Sequence, residues 1–347
     1  MERKQTISRQ IKKSISNREN DKQITYTGNF EKMVSTGSTL LDLSISGEVI
    51  KGGGIPGGIL VEIFGPSGSG KTVLLSEIAG SIQREGGNIM FHDPEARLNK
   101  QFAQMFDLDT DKMIYGTPDT VTEVFQSIKD WDISNTTING IMTDSLAALS
   151  TNLEMDNKEG DKMGMRRAKE FSEGLRKVAR ILKDKNILMC CSNQVRTNTD
   201  AGPYGQKYTT PGGVSIGFYS SVRLRTMNPK KIQKEVRVAG LSVKRPIGIE
   251  TDIEVFKNSI AAPYKKCSVT LLFDYGIDDI RDNLQYVKDF TKNSTYTVND
   301  LKLDISMEKS IQMVEGQGLE QELKEQVIDL WHTINQKFAS NRKQKQR

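Results

Sequence analysis

Cysteine is scarce in this chain, with Cys190, Cys191 and Cys267 the only three in 347 residues. Two are neighbours inside an apolar run, none lies in a C-x-x-C spacing, and no histidine accompanies them. This excludes a disulfide framework and a cysteine-rich zinc module, and implies a reduced, intracellular protein whose thiols are core residues. No apolar run is long enough to span a membrane and no secretory signal stands at the N-terminus, so a cytoplasmic protein is expected. Internal repeats and low-complexity tracts are missing too. Charge of one sign is in short supply: the formal net charge is +5, compatible with a polyanionic partner but too small to demand one.

What is present is enough apolar material, 36% of the chain, to build a core in one large domain with satellites or in two domains. The first 32 residues are polar and basic, and Ile7, Ile11 and Ile15 make a thin apolar stripe on a possible helix. Such a stripe is too narrow to fold alone, so residues 1–32 are expected to be an arm that docks on something. Glu2 and the lack of leucine or aromatic bulk count against a mitochondrial presequence.

From residue 59 onward apolar runs alternate with helical patterns. ILVEIF (59–64), NIMFHD (88–93), KMIYG (112–116), INGIMTD (138–144) and NILMCCS (186–192) are expected strands. Leu74, Leu75 and Ile78 mark one intervening helix and VTEVFQSI (121–128) another. This alternation predicts an α/β fold with a mostly parallel central sheet flanked by helices, and ligands at the carboxyl ends of its strands. Later, SSVRLRT (220–226), IETDIEVFKN (249–258) and CSVTLLF (267–273) are expected strands without helices between them, extending the sheet with antiparallel pairing. The domain organisation expected is a core at 33–280, a small C-terminal α/β lobe at 281–338 and a basic tail at 339–347. The lobe ends in a helix at 319–338 whose apolar face is Val327, Leu330, Trp331 and Ile334.

GPSGSGKT (65–72) carries the clearest chemistry. It fits G-x-x-x-x-G-K-[ST] between an expected strand and an expected helix, the context that pattern requires. Gly65, Pro66, Ser67, Gly68, Ser69 and Gly70 form a loop whose backbone N–H groups turn inward around phosphate oxygens, aided by the helix N-terminus. Lys71 reaches the β and γ phosphates, and the Thr72 hydroxyl suits Mg²⁺. Asp144 ends a strand where an acid can hold the metal through water. Asp93 and Glu95 follow the second strand, and Glu95 is assigned as the carboxylate that activates water. His92 is assigned a structural role. After the fifth strand, SNQVRTNTDAGPYG (192–205) opens a long polar loop, a feature that is usually functional or disordered.

These motifs fall in one order: STGSTLLDLSISG (35–47), the phosphate loop, Glu95, MTDSLAAL, MGMRRAKEFSEGLRKVARILK (163–183), SNQVR (192–196), GGVSIGFYSSVRLR (212–225) and KNSIAAPYKK (257–266). The succession closely resembles the RecA recombinases of the bacterial and phage branch, over roughly residues 33–280. The resemblance implies a RecA-like P-loop ATPase core that forms a helical filament on single-stranded DNA and pairs it with a homologous duplex. It implies ATP and Mg²⁺ at Lys71, Thr72 and Asp144, catalysis by Glu95 with Lys71, an adenine contact from Phe102, and a γ-phosphate sensor at Gln194. It further implies DNA-binding loops at 153–165 and 195–213, a subunit contact at Phe218, and a reach by Lys257 to ATP on the neighbouring subunit. The chain departs from the pattern at Ser259, where bacterial members have a second lysine, and in its basic tail, where they often end acidic.

The candidate DNA residues are Arg166, Arg167, Arg196, Lys207, Gly212 and Gly213. The first loop is charge-balanced, since Glu154, Asp156, Glu159 and Asp161 interleave with its cations, and a solvated loop explains it equally well. The second has moderate charge and few aromatics, which predicts sequence-independent backbone contacts with strong salt dependence. Two alternatives share parts of this set: a RecA-core hexameric motor of the helicase type, and a filament-forming DNA-binding scaffold with weak ATPase. The first leaves the Phe218 segment and NSIAAPYKK unexplained, and the second leaves Lys71, Glu95 and Asp144 without work.

Overall fold

The apolar runs of the sequence line up in one sheet. The computed structural model describes residues 32–98, 103, 105–106, 108–134, 136–150, 163–197, 208–209 and 213–338, without the side chains of 163–168, 196–197, 208–209 and 213–214. Its elements in chain order are α1 (Thr39–Ser46), β1 (Leu60–Gly65), α2 (Lys71–Arg84), β2 (Ile89–His92), β3 (Met113–Gly116), α3 (Val121–Asp130), β4 (Asn139–Thr143), α4 (Met163–Asp184) and β5 (Ile187–Gln194). There follow β6 (Arg196–Thr197), β7 (Tyr208–Thr209), α5 (Gly213–Tyr219), β8 (Val222–Val238), β9 (Leu241–Asn258), β10 (Lys266–Leu272) and β11 (Gly276–Ile277). The last part holds α6 (Asp279–Thr291), β12 (Thr297–Val298), β13 (Leu301–Lys302), α7 (Met307–Gln317) and α8 (Glu320–Lys337).

Among the described residues the main sheet has nine strands in the order β11-β10-β9-β8-β1-β5-β4-β2-β3. Pairing is parallel from β3 through β8, and antiparallel from β8 through β9 and β10 to β11. The expected architecture, a mostly parallel sheet with an antiparallel extension, is what forms. Both sheet faces are covered, which explains strands that are apolar at successive positions. Val61, Ile63, Leu188 and Cys190 pack with Leu74, Leu75 and Ile78 of α2 on one face. Leu60, Met189 and Cys191 pack with Phe125 of α3 and Phe171 and Leu175 of α4 on the other. Phe125 and Phe171 meet edge to face at 6.2 Å between centroids, a geometry worth about 1 kcal/mol beyond burial. Cys190, Cys191 and Cys267 are free thiols, and burial pushes the Cys190 and Cys267 groups up, to about 12 at Cys267.

A third cluster forms from the C-terminal elements. Leu284, Val287, Val298, Val314, Leu323, Val327 and Trp331 pack with Leu40 and Leu43 of α1. Three carboxylates sit along this joint, Asp42 buried and Asp279 and Asp282 half-buried. Asp279 accepts from Thr39 N and Oγ1, both at 2.7 Å, Asp282 accepts from Thr270 N at 2.9 Å, and Asp42 accepts from Thr36 N at 2.8 Å.

The strand expected at 220–226 differs most from expectation. It starts at Val222 and runs to Val238, then returns as β9. Past Arg225 it no longer pairs with β1, and residues 230–247 form a ribbon that extends past the sheet body, two-stranded alone from Gln233 to Pro246. The turn at its tip places Ala239 at φ 51° and Gly240 at φ 82°, the left-handed pair of a tight hairpin. Val236, Val238 and Leu241 are exposed there. Lys230, Lys231, Lys234, Arg237, Lys244 and Arg245, against Glu235 alone, give this ribbon a net charge of +5, equal to that of the whole chain. Among the described residues, no helix is long and apolar enough to cross a membrane.

Candidate active site

The phosphate loop leaves the sheet at Gly65 and enters α2 through Gly70, whose φ of +85° favours glycine. A Cβ on Gly70 would lie 2.0 Å from Leu271 Cδ1, and one on Gly65 would lie 2.0 Å from Thr226 Oγ1, so both glycines also permit close packing. Pro66, Ser67 and Gly68 are exposed at the tip, whereas Ser69 is buried. The Ser69 hydroxyl donates to Pro66 O at 2.7 Å and shares a hydrogen bond with Thr226 Oγ1 at 2.7 Å, fixing the loop to β8. Lys71 Nζ donates to the carbonyls of Gly65 at 3.2 Å and Pro66 at 2.7 Å. Burial holds the Lys71 ammonium below its usual range, opposed by the nearby carboxylates of Asp144 and Glu95.

Asp144, just beyond β4, meets the loop. Thr72 Oγ1 donates to Asp144 Oδ2 at 2.5 Å, and Ser192 Oγ from β5 donates to Asp144 Oδ1. The Asp144–Ser145 peptide is cis. Ser145 Oγ donates to Glu95 Oε1 at 3.1 Å, and Arg97 pairs with the other Glu95 oxygen. Glu95 is therefore held by the residue that follows Asp144, which brings the two carboxylates to one strand edge. Asp93 does different work: it is buried and accepts from Leu98 N at 2.7 Å and Tyr115 Oη at 2.9 Å, which shapes the loop carrying Glu95. His92 is buried between Ser127 Oγ at 2.9 Å and Thr143 Oγ1 at 3.4 Å, and burial lowers its pKa to about 4, so it is neutral at physiological pH.

Gln194 ends β5 directly opposite Gly65, the first residue of the phosphate loop. Its backbone N–H donates to Asn193 Oδ1 at 3.0 Å. Beyond it, Arg196 and Thr197 pair with Thr209 and Tyr208. Lys257 lies on β9, and its Nζ donates to the carbonyls of Gly217 and Phe218 at the end of α5, both at 2.9 Å. Phe218 itself is 74% exposed. Ser259 is exposed, and its N–H donates to Ser221 O at 2.9 Å.

The structure thus brings together Gly65 to Thr72, Glu95, Asp144 and Gln194, and places Lys257 and Phe218 together on α5 and β9. Arg166 and Arg167 lie in α4, Arg196 in β6 and Gly213 at the start of α5, described by backbone alone. Phe102, Lys207, Gly212, the N-terminal arm, the basic tail and most of the loop at 153–165 lie outside the described residues. Ser145, Ser192, Arg97 and Thr226 were not singled out from the sequence, because what identifies them is a partner from another element.

A phosphate loop between a central strand and a helix, facing an acid at the end of a neighbouring parallel strand, defines a P-loop nucleotide hydrolase. The profile of the RecA N-terminal domain matches residues 6–278. The chain is 32% identical over 302 residues to Protein RecA of Deinococcus radiodurans, covering 86% of this chain and 79% of that protein. Identity to Protein RecA of Teredinibacter turnerae is 33%, covering 81% and 77% of the two chains, and to that of Clostridioides difficile 32%, covering 89% and 82%. The chain belongs to the RecA family. It is a DNA-dependent ATP hydrolase and a recombinase of homologous recombination and repair, and neither the hexameric motor nor the weak-ATPase scaffold is favoured.

Proposed function

We propose that this chain hydrolyses ATP with Mg²⁺ at the carboxyl edge of β1, β4 and β5, and that nucleotide state governs its grip on single-stranded DNA in a cytoplasmic helical filament. The filament then pairs that strand with a homologous duplex. The observation that carries this reading is the convergence of Thr72, Asp144 and Ser192 beside the phosphate loop, with Gln194 on the strand next to Gly65.

The donor set fits Mg²⁺. Thr72 and Asp144 offer a hydroxyl and a carboxylate, hard oxygens of the kind this ion takes alongside water and substrate phosphates. Among the described residues no group of three or more His, Cys, Asp or Glu side chains could hold a metal unaided, which is consistent with an ion that phosphate oxygens help to bind. When bound, Mg²⁺ supplies charge neutralisation at the β and γ phosphates. Thr72 would ligate it directly and Asp144 through water. The loop N–H groups and Lys71 hold the phosphates and spread the developing charge. Glu95, held by Ser145 and Arg97, orients the attacking water and accepts its proton as the bond to the γ-phosphorus forms and ADP departs.

DNA contact is assigned to Arg166, Arg167, Arg196, Lys207, Gly212 and Gly213, and to the cationic ribbon at 230–247. Among the described residues, Lys231, Lys234, Arg237, Lys244 and Arg245 form no ion pair, while Lys230 has a 3.5 Å contact with Glu250. Phe218 and Lys257 are assigned to the contact between subunits, with Lys257 reaching the neighbour's ATP, and Phe102 to the adenine. ATP turnover with and without single-stranded DNA, run beside a joint-molecule assay, tests the reading. Stimulated turnover with joint molecules supports it; stimulated turnover with duplex unwinding and no joint molecules overturns it.

A further inference from the structure

We propose that Glu62 is a positioning residue that ties Gln194, at the nucleotide edge, to the α5 and Lys257 surface that carries Phe218. The inference rests on the roles proposed above for Gln194 and Phe218.

Glu62 lies in the middle of β1 and is 0% exposed, in a strand otherwise made of Leu60, Val61, Ile63, Phe64 and Gly65. A buried carboxylate costs several kcal/mol unless it is paired, and an apolar side chain often serves stability as well or better. Packing alone therefore does not account for Glu62. Its two oxygens point to two different elements. Oε1 accepts from Asn193 Nδ2 at 3.0 Å, and Oε2 accepts from Arg223 Nε at 2.6 Å. Asn193 uses its own oxygen to accept the N–H of Gln194, so one side chain holds the last peptide of β5 against Glu62.

Arg223 carries the connection the other way. Its guanidinium lies 4.5 Å from the Phe64 ring centroid and 5.5 Å from that of Phe256, and the two rings meet edge to face at 5.6 Å. It pairs across the sheet with Lys257, whose Nζ binds the last carbonyls of α5. A Cβ on Gly217 would sit 3.0 Å from Arg223 Nη1, so α5 packs onto the guanidinium itself. Glu62, Arg223 and Lys257 occupy one lateral row across β1, β8 and β9. Two cations in that row face one carboxylate. Burial, and secondarily Arg223, holds Lys257 below its usual range, while Glu62 counters them. Removing the Glu62 charge leaves Arg223 and Lys257 repelling each other beside α5, and weakens the charge-assisted hydrogen bond that holds Asn193 beside Gln194.

The test uses the full chain with Glu62→Gln, which keeps size and removes charge. The ratio of ATP affinity with and without single-stranded oligonucleotide is measured, together with the thermal unfolding midpoint. The account predicts that ATP affinity and turnover without DNA stay within about 2-fold, while the DNA-dependent gain falls by ~10-fold, within the usual range of site-to-site coupling. A purely structural role would lower the midpoint and leave the ratio intact. A preserved ratio in a folded variant overturns the inference. Should Glu62→Gln fail to fold, Asn193→Ala, which removes the side chain between Glu62 and Gln194, and Arg223→Lys, which keeps charge but loses the planar stack, carry the same ratio test. Both must reduce the ratio, and preservation in either overturns the inference. If the wild-type chain itself shows no DNA-dependent gain, it is the proposed function that fails.

Discussion

Asp93 and Glu95 are two residues apart and chemically alike, but their surroundings separate them. Asp93 is consumed by Leu98 N–H and Tyr115, and that bond together with burial pushes the Tyr115 phenol up to about 12, burial being the larger cause. Glu95 instead reaches Ser145, next to Asp144. Replacing Glu95 by Gln should therefore cut kcat by ~10²–10⁴-fold, the usual loss of a general base, while ATP affinity measured by direct titration stays nearly constant. Retained turnover would move the base elsewhere. Asp144 was legible in the sequence because it ends an apolar strand downstream of a phosphate loop. Ser145, Ser192 and Glu62 were not, since a serine or a lone acid gains meaning only from a partner on another strand, and nothing in local spacing encodes that partner.

At the scale of elements, the core strands were legible because both faces are covered and the side chains are apolar in sequence. The ribbon at 230–247 was not. Pro229 and Pro246 argue against a strand, and the tip is Ala-Gly, not Asn-Gly or Asp-Gly. The structure accommodates these features with register shifts between Met227 and Lys230 and between Ile232 and Gln233. The joint between α1, α6 and β10 was equally invisible, and it has a pH signature. Asp282 is raised from 3.8 to about 7 by burial first, then by Asp279 and Asp278, against the hydrogen bonds from Thr270. A folded pKa above the unfolded one means that the native state holds the proton more tightly. Its contribution is fully present below about pH 4 and is lost as pH rises through about 7. Asp42 behaves alike, raised to about 6 by burial. His92 works in the opposite direction, losing stability as pH falls from 6.5 toward about 4. Denaturant titrations from pH 4 to 8 should show that Asp282→Asn makes the dependence on rising pH less unfavourable than in wild type, by no more than about 1.4 kcal/mol per pH unit. Parallel curves for the two chains would contradict this assignment.

For the whole molecule, the distribution of charge says more than its sum. A net charge of +5 looked too small to identify a partner, yet the ribbon's own surplus equals it. Replacing Lys234, Arg237, Lys244 and Arg245 with Gln should weaken duplex binding and flatten its dependence on log salt, by up to ~0.9 per lost phosphate contact, leaving ATP affinity unchanged. An unaltered slope would place the contacts elsewhere. One edge of the sheet is proposed to serve nucleotide and DNA together, through Gln194 beside Gly65. The most direct measurement is the affinity for a single-stranded oligonucleotide in ATP and in ADP, for wild type and Gln194→Ala. The account predicts tighter binding in ATP for wild type, and loss of that difference in the variant while ATP binding persists. A full nucleotide response in Gln194→Ala would contradict it.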